Sequence, residues 1–159
     1  VSKNSQCVTS SAQVRAGISI DGIAMTNEPK PDYPHRRPHS PPLDGRYLEL
    51  DLSRELDQLQ REPEWEKGQN AKTVVKYDNL RVVLMSLKAH GRIPEHVTEG
   101  RITIQTIRGH ILVRADQRTF DLPLGGLLAL DHGLPHDVEA IEDSAFLLTI
   151  AWPPSGPSS

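Results

Sequence analysis

GRIPEHVTEGRITIQTIRG, residues Gly91 to Gly109, reads as a loop, a short strand, a tight turn and a longer strand. His96 comes just after Pro94, and Ile102, Ile104 and Ile107 supply apolar positions on the run that follows. A second stretch, GGLLALDHGLPHDVEA from Gly125 to Ala140, repeats this grammar around Pro135 and His136. Two strand-borne histidines, each beside a proline and glycines, are expected to face one interior if the strands close into a β-barrel.

The flanking sequence supplies such strands. From Lys72 the residues alternate and become β-branched: TVVKY, LRVVLMSL, RITIQTI, HILVRA, RTFDL, GLLAL, HDVEA and AFLLTIAW. Turns are expected at Asp78-Asn79, Ala89 to Gly91, Gly109, Asp116-Gln117, Gly125-Gly126, Gly133 and Glu142-Asp143. About eight strands at short spacing, with no helical periodicity between them, predict an all-β closed sandwich or barrel rather than a parallel α/β sheet.

Upstream the character changes. Leu52, Leu56 and Leu59 fall on one helical face, with Asp51 or Ser53 to cap the start and Glu62-Pro63 to end it, which predicts a short amphipathic helix over about residues 52–61. Its apolar face is expected against the barrel or a second subunit, and Trp65 is expected to precede a turn. Residues 1–44 read as a flexible arm: polar at first, with one apolar patch, AGISIDGIAM, and then the proline-rich NEPKPDYPHRRPHSPP, whose prolines remove backbone donors and favour extended neighbours. His35, His39, Arg36 and Arg37 in that arm read as solvated. Residues 45–152 form the expected domain and 153–159 a flexible tail. The chain begins at Val1, with its first methionine at Met25, so either is a candidate start.

The 159 residues suit one domain plus an arm. A net charge of -3 gives no bulk reason to bind nucleic acid or an anionic membrane. No apolar run is long enough to span a bilayer, no signal peptide pattern is seen, and the single cysteine, Cys7, cannot form an intramolecular disulfide, so a cytoplasmic location is expected.

The two stretches together resemble the paired motifs of the cupin superfamily, small jelly-roll barrels also described as double-stranded β-helices. Gly91, His96 and Gly109 fall on the first motif, and Gly125, Gly133 and His136 on the second. Four positions depart from the pattern. Thr98 stands where a second histidine is expected, Ile102 where a glutamate is, Asp131 where a proline is, and Ala140 where an asparagine is. In metal-binding cupins two histidines, the glutamate and the final histidine are the ligands, so the resemblance implies a site reduced to His96 and His136. It covers residues 72–152 and also implies a homodimer.

That donor set leaves two functional classes open. His96 and His136 could hold a divalent metal ion (Zn, Fe, Mn, Ni or Cu), but a catalytic metal usually needs three protein ligands. Thr98, Gln105, His90 and His132 are the candidates for a third. Gln105 lies three residues from Ile102 and should point to the opposite face unless a bulge intervenes. Alternatively the barrel is a metal-free module that binds or senses a small molecule. Ile102 makes its wall apolar, while His96, Thr98, Gln105 and His136 orient the ligand. As a metalloenzyme the resemblance implies a dioxygenase or isomerase acting on a small polar substrate.

Overall fold

The computed structural model describes residues 43–153. The expected arm up to residue 42, with Cys7, Met25, His35 and His39, lies outside the described residues, as does the tail from residue 154. Two helices, α1 (Leu52–Leu59) and α2 (Pro63–Glu66), precede nine strands. These are β1 (Gln69–Lys76), β2 (Leu80–Leu87), β3 (Arg92–His96), β4 (Arg101–Arg108), β5 (His110–Ala115), β6 (Arg118–Pro123), β7 (Leu127–Leu130), β8 (His136–Ala140) and β9 (Ser144–Ala151). They form two antiparallel sheets, one of five strands in the order β1-β2-β9-β4-β7 and one of four in the order β3-β8-β5-β6.

Period-two alternation divides each strand between an interior and an exterior. Val83, Met85 and Leu87 of β2, Ile102 and Ile104 of β4, Ile111 and Val113 of β5, Val138 of β8 and Phe146, Leu148 and Ile150 of β9 share one buried core between the sheets. Phe146, 1 % exposed, is its largest fully buried side chain. The opposite face of the five-stranded sheet is covered in part by α1, whose Leu56 and Leu59 pack with Val74, Leu84 and Ala145. The amphipathic helix therefore lies against the barrel.

Local chemistry fixes α1 at both ends. The Asp51 carboxylate accepts from the backbone N–H groups of Ser53 and Arg54, at 3.0 and 3.2 Å, as an N-cap. At the other end Asn70 Nδ2 donates to the Leu59 carbonyl at 3.0 Å, which would otherwise lack a partner within the helix. The Lys72 ammonium, 8 % exposed, pairs with Glu55 and ties the middle of the helix to β1. Two boundaries differ from the sequence reading. The segment around Trp65 is a short helix instead of an approach to a turn, because Pro63 sits in its first turn and Trp65 is buried under Lys88. β1 also begins at Gln69, ahead of Lys72, because Asn70 is buried against the helix.

Between β4 in one sheet and β5 in the other there is a single residue, Gly109. Its φ is 71°, and a Cβ there would lie 2.5 Å from both the Asp143 carbonyl oxygen and Ser144 Oγ. Only glycine accommodates both the left-handed backbone and the close approach. Ser144 Oγ in turn accepts from the His110 N–H at 3.0 Å, so the corner is pinned to β9.

Two substitutions test this frame. Leu59→Ala is expected to destabilise the protein by about 2–5 kcal/mol, read as a lower urea midpoint with an unchanged β-sheet spectrum. Gly109→Ala is expected to cost more than about 1 kcal/mol by the same measurement, whereas alanine at Gly133, which has a positive φ but nothing within 4 Å of an added Cβ, should cost less.

Candidate functional site

The position of His96 depends on an irregularity. Ile93 pairs with Val138, but His96 pairs with His136. Three steps along β3 thus match two along β8, and the extra residue is a β-bulge at Pro94-Glu95. Proline is tolerated there because β3 is an edge strand with no neighbour on one side. In a regular strand residues three apart face opposite ways. The bulge reverses that parity, so His96 joins Ile93 and His136 on the inner face.

The two imidazoles meet at an edge, with centroids 4.2 Å apart and planes at 62°. His96 Nδ1 lies 2.8 Å from the Pro94 carbonyl and His136 Nδ1 lies 2.8 Å from the Leu134 carbonyl. A carbonyl oxygen can only accept, so each Nδ1 carries a hydrogen and donates it, and Nε2 is the nitrogen that keeps the lone pair in the neutral form of such a ring. The two motifs use the same device, a histidine bonded to the carbonyl two residues before it. His136 is 3 % exposed, and burial lowers its pKa, with the neighbouring His96 adding in the same direction and the Leu134 carbonyl and Asp137 opposing. Neutral His136 is thereby favoured.

The same cross-strand row continues into the four-stranded sheet. His136 pairs with Ala115, and Ala115 with Arg118. The β5–β6 turn sets this register: Asp116 and Gln117 have φ of 49° and 61°, the left-handed pair of a two-residue hairpin. Arg118 lies on the inward side of β6, and its guanidinium sits 5.2 Å from the centroid of Phe120, a half-buried ring packed against the core. On the inner face of the five-stranded sheet, the row at this end reads Arg81, Ile150, Ile102 and Leu130. Arg81 is buried and lies 5.5 Å from the centroid of Trp152. The short link from β7 to β8 is tied to the segment after β3, its Gly133 N–H donating to the Thr98 carbonyl at 2.9 Å.

The candidates named from sequence distribute accordingly. His96 and His136 are brought together. Thr98 is half-buried just beyond β3 and contributes its carbonyl to Gly133. Gln105 is exposed and paired with Leu127 and Leu147 on the outer face, because the bulge in β4 falls at Thr106 to Arg108, after it. Its expected place beside the ligand is thus corrected. His90 and His132 are exposed at turns, with His132 against Asp131. Asp137 and Glu139 face outward and pair with Arg114. Sequence reasoning missed Arg118 and Arg81. The Asp-Gln turn, once read as a two-residue hairpin, would have placed Arg118 opposite Ala115, but nothing local revealed Arg81.

These residues fit a resident metal ion poorly. Among the described residues no group of three or more His, Cys, Asp or Glu is placed to hold one. The inner rows at this end carry two guanidiniums and no carboxylate, and Ile102, 2 % exposed, fills the glutamate position. A cavity of about 320 Å³ lies elsewhere, on the outer face of the five-stranded sheet, around Thr103, Ala129, Thr149 and the Arg101–Asp131 ion pair. There Arg101 and His132 hold the Asp131 carboxyl well below the usual carboxylate range. That cavity is separated from the histidines by the sheet itself. Among the described residues no helix is long and apolar enough to cross a membrane.

No protein-family model matches this sequence. No curated protein matches it either. Solved structures do. A conserved protein of unknown function from Streptococcus pyogenes aligns over 72 % of this chain and 95 % of its own, with a TM-score of 0.56 at 23 % identity. An RmlC-like cupin from Desulfovibrio desulfuricans aligns over 54 % and 84 %, with a TM-score of 0.51 at 27 % identity. The salicylate 1,2-dioxygenase of Pseudoaminobacter salicylatoxidans aligns over 63 % of this chain but only 32 % of its own, with a TM-score of 0.56 at 16 % identity. The neighbours thus include both an enzyme and proteins of unspecified function. With two antiparallel sheets around one core, the histidines of both motifs paired across β3 and β8, and cupins of known structure aligning with it, this chain has the cupin fold.

Proposed function

We propose that the protein binds a small, hydroxyl-bearing molecule at the histidine end of its barrel, without a resident metal ion. The observation that carries this reading is the pair of adjoining imidazoles whose Nδ1 atoms are both committed to backbone carbonyls, which leaves the Nε2 of each ring for a ligand. An imidazole whose Nδ1 is committed to a carbonyl offers Nε2 to a ligand hydroxyl group when it is neutral, and two such nitrogens fall short of the three protein ligands that a catalytic metal usually needs. The core between the sheets is filled by Phe146, Ile104, Leu148 and their neighbours, so the ligand sits at the end of the barrel, where Leu134, Phe120 and Trp152 offer half-buried apolar surface. Thr98 is close enough along the chain to add a polar contact. Either imidazole could also take a proton from a bound hydroxyl, which keeps turnover within reach of this site.

A second reading has the same two nitrogens behind it. As half of a ligand set they would hold a divalent metal ion for dioxygenase or isomerase chemistry, provided further donors came from outside the described residues, where His35 and His39 lie. Elemental analysis of protein purified without a histidine tag separates the two. The metal-free reading expects no near-stoichiometric transition metal and an unchanged Tm in chelator. One equivalent of metal in the wild type, lost in a His96→Ala/His136→Ala double variant, would decide for the metal.

The neutrality of His136 has its own signature. Its folded pKa lies below the usual imidazole value of about 6.5, so below that pH the unfolded chain takes up a proton more readily than the folded one. Stability is therefore lost as pH falls from about 6.5 toward the folded pKa of His136. The wild type should lose more of its urea midpoint between pH 7.5 and 5.5 than His136→Gln does. An equal loss in both would show that His136 is not the group responsible.

A further inference from the structure

The barrel has two outer sheet faces, and their chemistry differs. On the four-stranded sheet the face is a lattice of polar pairs: Arg114 with Asp137 and Glu139, Arg92 with Glu139, and His110 with Asp121. On the five-stranded sheet one cross-strand row reads Val75, Val82, Thr149, Thr103, Ala129, one residue from each strand and none of them charged. Charged outward positions are what a sheet presents to water, whereas a row of aliphatic and threonine side chains suits a covering layer. The helix α1 covers part of this face, packing on β1 and β2. Over β9, β4 and β7 lies the cavity of about 320 Å³, with the Arg101–Asp131 ion pair at its rim. Leu127, 61 % exposed, continues the apolar surface along β7.

The point at which the arm joins the domain decides what can reach this face. The Leu43 carbonyl accepts from the Lys76 N–H at 2.7 Å, and the Gly45 carbonyl from the Tyr77 hydroxyl at 2.6 Å. The arm is therefore anchored at the end of β1, next to Val75, the first residue of the uncharged row. From there the row crosses to β7, four strand spacings or about 19 Å away. Residues 26–42 separate this anchor from the apolar patch AGISIDGIAM, residues 16–25. A proline-rich stretch of that length spans up to about 50 Å at about 3.1 Å per residue, so the patch can reach every point of the row. Tethering at that length also sets an effective concentration on the order of millimolar, so a weak apolar contact is enough to populate a docked state.

We infer that residues 16–25 of the same chain dock on the uncharged outer face of the five-stranded sheet, over Thr149, Thr103 and Ala129, with Ile18, Ile20 and Ile23 supplying the buried groups. The match is one of composition and reach. This segment carries three isoleucines and a methionine against a single charge, Asp21, whereas residues 26–42 are dominated by proline and charged side chains. Val82 and Leu147, half-buried at the margin of α1, join the helix-covered half of the face to the cavity half. A docked segment thus extends the layer that α1 begins, and the face is covered from β1 to β7. The same chain is favoured over a second copy because its tether makes the contact intramolecular.

The test places a nitroxide at position 19 of the full chain, through Ser19→Cys in a Cys7→Ser background, and reads backbone amide intensities by NMR. The amides of Val82, Thr103, Ala129 and Thr149 are expected to lose about half of their intensity or more. Those of Leu112, Arg114 and Thr119, on the other sheet, should keep theirs and report that the fold is intact. Adding Ile20→Asp/Ile23→Asp to the labelled chain should restore the lost signals, because burying a carboxylate without a partner is costly. Equal intensities on both sheets overturn the inference, as do losses that survive Ile20→Asp/Ile23→Asp. A mixture of isotope-enriched chain lacking the nitroxide with nitroxide-bearing chain lacking the isotope identifies the source. Full signals for the row in that mixture support docking within one chain, whereas their loss would assign the face to a second copy and overturn it.

Discussion

The backbone ladder of the last strand holds the barrel together. β9 ends the described chain yet lies in the middle of its sheet, pairing with β2 along one side and β4 along the other. β8 does the same in the second sheet, between β3 and β5. Each sheet is therefore completed by insertion of a late strand between early ones, and the contacts that close the core are distant in sequence. Phe146, Leu148 and Ile150 enter the interior only when β9 is seated. His136 reaches His96 only when β8 is seated. Loop closure must precede these contacts, so fold and site form together.

Within that frame, short irregularities decide which way the chemistry points. Gly109 turns the chain from one sheet to the other in a single residue. The bulge at Pro94-Glu95 inverts the parity of β3, and the left-handed pair Asp116-Gln117 fixes the register of β6. None of the three contributes a functional group of its own. Each costs something locally, in ladder hydrogen bonds or in backbone freedom, and that cost is offset by the shared core on which the strands close. The outcome is a pair of inner rows bearing two imidazoles and two guanidiniums, where the glutamate position is filled by Ile102. With Ile102 in place of a carboxylate, these rows offer no anionic side chain to hold a cation.

Much of this was legible in the residues. Alternation of apolar and polar positions, punctuated by Gly, Asp and Asn, revealed the strands because burial on one face of a sheet imposes a period of two on any sequence. The leucine spacing and Asp51 revealed α1 for the corresponding helical reason. Gln105 illustrates both reach and error: parity alone put it on the outer face, and its expected place beside the ligand needed a bulge before it, whereas the bulge in β4 comes after it. His96 illustrates where it stops, since the same parity counted from Ile93 would have turned it outward, and only the register of β3 against β8 shows the extra residue.

Arg118 and Arg81 belong to the second category. In sequence each is one more basic residue in a polar surrounding, RTFDL or NLRVVL, and nothing within several residues marks it as inward. The sequence alone determined the strand content, the two histidine motifs and the lost ligand positions, because those depend on local periodicity and on which residue types occupy them. Tertiary structure decided which side chains share an inner row with the histidines, because that depends on register between strands far apart in the chain.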